Sequence, residues 1–177
     1  MSNREPRQNL ELKARCSNPS AVREALGALG ASPSGAFSQI DTYFRVPRGR
    51  LKLRECDSAP AVLIYYERAD DSRIRPSVYW LTQIPEPDAL LGTLATALGT
   101  IAVVRKRREL WMWHNVRIHI DKVEDLGDFL EFEAVLSVDE PAEVSRPRVE
   151  RLIATLGVTE DQRINRSYSD LLLATRH

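Results

Sequence analysis

The chain has 177 residues, 25 basic and 25 acidic, and a formal net charge of zero, so any functional charge has to arise from local sorting and not from a nucleic-acid tail or a polybasic membrane patch. MSNREPRQ has no apolar signal core, no run of about 18 apolar residues could span a bilayer, and Cys16 and Cys56 make neither a disulfide framework nor a CxxC metal site. The expected setting is the cytoplasm, and the expected organisation is one domain over residues 1–177.

The first predicted strand, NLELKARC (9–16), alternates Asn9, Glu11, Lys13 and Arg15 with Leu10, Leu12, Ala14 and Cys16. Residues 20–29 then place Val22, Ala25, Leu26 and Leu29 at helical spacing, and Gly30 supplies the stop. QIDTYFRV (39–46), RLKLRE (50–55) and AVLIYYER (61–68) read as three strands, and the short turns between them favour antiparallel neighbours. SVYWLTQI (77–84) is a fifth strand. EPDALLGTLATALG (86–99) is a second helix, with Pro87 in its first turn and Gly99 at its end.

IAVVRKRRELWMW (101–113), NVRIHIDKV (115–123) and FLEFEAVL (129–136) add three strands, so each half of the chain has the pattern strand, helix, three strands. RPRVERLIATLG (146–157) is an amphipathic helix, and NRSYSDLLLATRH (165–177) contains a short terminal one. Eight antiparallel strands are too many for a small flat sheet. The expected fold class is therefore α+β, an eight-stranded antiparallel barrel or tunnel with helices packed outside.

Charge is sorted by parity along these strands. Arg50, Lys52 and Arg54 share one side, with Leu51 and Leu53 on the other; Lys106 and Arg108 share a side; Arg117, His119 and Asp121 alternate with Val116, Ile118 and Ile120; Glu131 and Glu133 alternate with aliphatic residues and Phe132. A solvated outer face explains any one of these strands. Together, however, they concentrate Lys, Arg and Glu with little Ser, Thr or Gln, and the apolar stripes of the helices need the opposite faces to pack on. The charges are then expected inside the barrel, where they require a partner. Lys and Arg match phosphate oxygens, and clustered carboxylates hold a hard cation such as Mg2+ or Mn2+, so a polyanion with a metal is the expected occupant.

NLELKAR resembles the ExExK signature of the CYTH superfamily, the triphosphate tunnel metalloenzymes. QIDTYFRVPRGRLKLRE, VVRKRREL, RIHIDKVEDLGDFLEFE and SYSDLL resemble successive motifs of its class IV adenylate cyclase-like branch. The resemblance implies a triphosphate-binding tunnel, with Glu11, Asp121, Glu131 and Glu133 at the metal and Lys13, Arg15, Lys52, Arg54, Lys106, Arg108 and Arg117 on phosphates. Glu11, Lys13, Arg54 and Glu133 are the implied catalytic residues. Asn9 stands at the first acidic position of the signature and brings no charge.

The implied activity is cyclisation of ATP to cyclic AMP and pyrophosphate. The alternatives are hydrolysis of thiamine triphosphate, inorganic tripolyphosphate or a nucleotide, and triphosphate binding without turnover. ATP or another triphosphate is the implied ligand and a homodimer the implied assembly; neither nucleic acid nor a membrane is expected as a partner. No base-binding pocket is readable. Tyr43 shares the side of Asp41, either assisting proton transfer or donating a hydrogen bond; His119 either touches phosphate or pairs with a carboxylate. Trp111 and Trp113 fall opposite the cations, under a helix or at a dimer contact, and only one of Tyr65 and Tyr66 can face inward.

Overall fold

The structure, a computed structural model, describes residues 6–175. Its elements are β1 (Arg7–Arg15), α1 (Pro19–Ala28), β2 (Ser32–Phe44), β3 (Arg50–Cys56), β4 (Ala59–Arg68), β5 (Arg75–Gln83), α2 (Pro87–Leu98), β6 (Thr100–Trp113), β7 (Val116–Val123), β8 (Gly127–Val135), α3 (Ala142–Thr155) and α4 (Tyr168–Ala174). The strands form a closed barrel in the order β1-β5-β4-β3-β2-β6-β7-β8, with every neighbouring pair antiparallel. Closure leaves no edge strand, so every ladder is paired on both sides.

Strand alternation decides what faces outward. Leu10, Leu12 and Ala14 of β1, Val116, Ile118 and Ile120 of β7, and Leu130, Phe132 and Ala134 of β8 are buried on the outside of the barrel. They are covered by Val22 and Leu26 of α1 and by Val149, Leu152 and Ile153 of α3. Asn18 caps α1 by accepting a hydrogen bond from the Ala21 amide, and Pro19 occupies the first turn. Trp113 joins this outer core, and the Arg151 guanidinium sits over its ring at 5.4 Å, so the packing expectation for the tryptophans holds.

Two features differ from the sequence reading. β2 begins at Ser32, seven residues before the expected strand, because SPSGAFS carries turn-forming residues yet pairs with β6 through an irregularity between Pro33 and Gly35. α4 does not pack on the outside of the barrel. Tyr168 and Leu172 pack with Tyr43, Val104, Val123 and Phe129, which share the inward parity of β2, β6, β7 and β8, so α4 lies across one mouth. Its capping box, Ser167 with Asp170, fixes the start of the helix, and Arg50 of β3 donates to Asp170 at 2.8 Å, tying helix to barrel. The expected terminal helix also took in Arg176 and His177, which lie outside the described residues.

Candidate functional site

The barrel holds a cavity that opens to solvent and spans about 820 Å³ with the solvent at its mouth included. Among the described residues, eight Lys and Arg side chains and three glutamates line it, so the surplus charge is positive and suits a polyanion.

Four of these cations are held by two buried aspartates. Asp41 of β2 is fully buried and lies opposite Arg54 of β3 in the register. It accepts two bonds from Arg54, at 2.7 and 2.8 Å, and bonds from Lys52 at 2.9 Å and Lys106 at 3.4 Å. Burial alone would raise its carboxyl, but Arg54, Lys106 and Lys52 outweigh that and hold it well below the usual range. Lys106 is pushed down to about 7 by burial and by Arg108, against the pull of Asp41. The second aspartate, Asp121 of β7, accepts two bonds of 2.6 Å from Arg108 and one of 2.9 Å from the Tyr168 hydroxyl. Arg108 also reaches Glu131 at 2.8 Å.

The acidic side is built by β1, β7 and β8. Their registers place Glu11 beside Glu133, and Lys13 and His119 on either side of Glu131. Lys13 donates to Glu131 at 2.7 Å while its ammonium lies 3.7 Å from the centre of the Tyr168 ring. His119 stands behind the two glutamates, Nδ1 3.6 Å from Glu131 and Nε2 4.0 Å from Glu133. Burial and Arg108 push the imidazole below its usual value. Burial would raise both glutamates, but Lys13 chiefly holds Glu131 well below its usual value, and the facing His119 and Arg117 lower Glu133. Glu11, which accepts from Arg68 at 2.9 Å and Arg75 at 3.3 Å, is raised by burial and by the neighbouring glutamates in spite of Arg68.

The carboxylates of this set are the donors that suit a hard divalent cation. One ligand atom each of His119, Glu131 and Glu133 lie within 4.8 Å of one another, and Asn9 Oδ1 and His119 Nδ1 are buried without a hydrogen-bond partner. A bound divalent ion would neutralise phosphate charge there.

Nine of the expected residues line the cavity: Glu11, Lys13, Lys52, Arg54, Lys106, Arg108, Arg117, Glu131 and Glu133. Two are placed elsewhere. Arg15 is exposed beyond the end of the lining, donating to the Leu126 carbonyl at 3.1 Å. Asp121 is not among the residues lining the cavity, and its oxygens accept from Arg108 and Tyr168. His119 is not among the residues lining the cavity and stands 3.6 Å from Glu131 without a hydrogen bond. Tyr66 faces inward, whereas Tyr65 packs outside against Trp80.

The sequence reading missed Asp41 as an organiser, Tyr168, Arg68 and Arg75. Parity with Tyr66 could have placed Arg68. Arg75 was hidden because Pro76 made that segment read as a strand boundary.

With eight antiparallel strands enclosing cations and carboxylates, the molecule is a charged-lumen barrel. The CYTH domain family matches residues 7–168, and the chain belongs to that family. Its fold is shared with the PH1012 protein of Pyrococcus horikoshii at 24% identity, covering 92% of this chain and 98% of that one, with a TM-score of 0.81. An adenylate cyclase candidate from Vibrio parahaemolyticus is 22% identical over 96% of this chain and 99% of its own, with a TM-score of 0.72. An adenylyl cyclase candidate from Hippeastrum, described as having a dominant triphosphatase activity, is 17% identical over 95% of each chain, with a TM-score of 0.63. At these identities the likeness is one of fold. No curated protein matches the chain by sequence. No helix among the described residues is long and apolar enough to cross a membrane.

Proposed function

We propose that this protein is a metal-dependent phosphoryl-transfer enzyme that binds a triphosphate inside the barrel, as one domain over residues 1–177. The observation that supports this reading most is the facing of two charge systems: Lys52, Arg54 and Lys106 on Asp41, against Glu131, Glu133 and His119 across the lumen. Lys13, Lys52, Arg54, Lys106, Arg108 and Arg117 bind the phosphates, and Glu11, Glu131 and Glu133 hold Mg2+ or Mn2+. The metal neutralises phosphate charge when bound. Lys13 and Arg54 stabilise charge that develops on the leaving phosphates, and their ion pairs position them before the substrate arrives. Glu11 and Glu133 act by holding that metal, and the proton of the attacking hydroxyl or water leaves with the departing phosphate or to solvent.

In the first reading the substrate is ATP. Its ribose 3′-hydroxyl attacks the α-phosphorus, the bond to the bridging oxygen breaks, and pyrophosphate leaves. The second reading is hydrolysis, in which water attacks the terminal phosphorus and orthophosphate leaves. It is favoured by the open mouth, where the Arg117 side chain is 34% exposed, and by the activity described for the Hippeastrum relative. A second copy of this chain is the proposed protein partner, with α2, which buries none of its residues fully, as the available surface.

Incubation with ATP, thiamine triphosphate and tripolyphosphate, with and without Mg2+ or Mn2+, followed by chromatography, tests the proposal. Cyclic AMP with pyrophosphate supports cyclisation and orthophosphate supports hydrolysis. Metal-independent binding with no product overturns both.

A further inference from the structure

The cavity is not charged all round. On β4 and β5 the register sets Tyr66 opposite Tyr79 and Ile64 opposite Leu81, and all four side chains line the cavity. β3 continues the same rows on its other side, with Lys52 opposite Ile64 and Arg50 opposite Tyr66. The lumen therefore changes within one strand spacing from phosphate-binding cations to a neutral wall of two tyrosines, an isoleucine and a leucine. Tyr66 marks the boundary, since Lys52 lies 5.5 Å from its ring centre. Ile64 is buried, whereas Tyr66, Tyr79 and Leu81 are half-buried and open to the cavity.

An inorganic polyphosphate has no surface that such a wall could take from water. A substrate carrying a flat heterocycle does, because burying apolar area is favourable and an aromatic side chain accepts a stacked ring. The wall adjoins the cations directly, so one molecule can use both.

We infer that Ile64, Tyr66, Tyr79 and Leu81 form the subsite for the organic part of the substrate and select an organic triphosphate over an inorganic one. This rests on the triphosphate reading above and names its substrate class. Tyr79 and Leu81 set the preference, because they face the cavity without an ion pair to maintain. Ser77 and Arg68, opposite each other one step along the same two strands, mark where the wall returns to polar lining. The heterocycle therefore lies against β4 and β5, and the phosphates against Lys52 and Arg54 of the adjoining β3.

Calorimetry with the bismethylene analogues of ATP and of tripolyphosphate, each with Mg2+, separates the two parts, because the carbon bridges block both cyclisation and hydrolysis. The wild-type protein is expected to bind the ATP analogue at least about tenfold more tightly. Tyr79→Ala and Leu81→Ala should lose most of that preference while keeping the affinity for the tripolyphosphate analogue within about twofold. Melting temperatures of the variants check that they fold, and Tyr79→Phe, which keeps the ring, should retain the preference. Equal binding of the two analogues by the wild type, or parallel losses for both in the variants, overturns the subsite and leaves the phosphate site standing. Failure of both analogues to bind overturns the subsite together with the function on which it rests.

Discussion

Replacing Asp41 by asparagine keeps the shape of the side chain and removes the one carboxylate that Lys52, Arg54 and Lys106 share. Asp41 is fully buried and its cation contacts are 2.7 to 3.4 Å long, so solvent cannot make up the loss. Removing one partner of a buried ion pair costs about 3–5 kcal/mol. Here the lower end applies, because Lys106, already at about 7, can give up its proton and relieve part of the repulsion. At about 2–4 °C per kcal/mol for a chain of this size, a loss of about 3 kcal/mol lowers the melting temperature by about 6–12 °C. Because the vacated charge belongs to a site that takes anions, tripolyphosphate should restore more stability to Asp41→Asn than it adds to the wild type. Thermal denaturation at pH 6, where Lys106 starts out charged, with and without tripolyphosphate and Mg2+, measures both effects, and Asp71→Asn, at an exposed pair with Arg73, is the control expected to melt unchanged. A variant melting within about 2 °C of the wild type, or gaining no more from the anion, would refute the reasoning.

Other expectations follow from the same charges. Anions favour protonated Lys106, so triphosphate affinity should be highest below pH 7 and fall above it, with proton uptake on binding between about pH 7 and 8. Calorimetry in buffers of different ionisation heat should show this uptake in the wild type and not in Lys106→Met. In the ligand-free protein the sign for stability is opposite: this lysine's folded pKa lies below its unfolded value of about 10.4, so the unfolded chain holds the extra proton and its contribution to stability grows as pH rises through that window. Asn9→Glu should tighten Mn2+ binding by about tenfold, read by electron paramagnetic resonance, because it adds a charge beside Glu11; unchanged affinity would count against Asn9 facing the ion. Glu131→Gln should weaken Mn2+ binding by at least about tenfold, whereas Asp121→Asn should spare the metal and weaken triphosphate binding through Arg108.

The barrel was legible because strand parity is a strong signal. One row of residues, such as Lys106 and Arg108, had to share a face, and the helices needed the other face. Parity could not show what stands behind a charged side chain. Asp121 shares the face of Arg117 and His119, yet the cross-strand register puts it opposite Arg108, whose guanidinium bonds both its oxygens. Arg15 keeps the parity of Lys13 but lies at the end of β1, past the enclosed length of the barrel. Asp41 was visible in QIDTYF, but its sharing by three cations depends on β2 lying between β3 and β6, an order that no local pattern encodes. The neutral wall on β4 and β5 is likewise a product of register, since Tyr79 and Leu81 meet Tyr66 and Ile64 only once the strands are paired.

The most direct test is a crystal structure with Mn2+ and bismethylene ATP. The account predicts an anomalous peak beside Glu131 and Glu133, with the phosphates on Lys52, Arg54 and Arg108 inside the barrel. A well-occupied nucleotide bound on the outer surface, with the lumen holding only water, would contradict it.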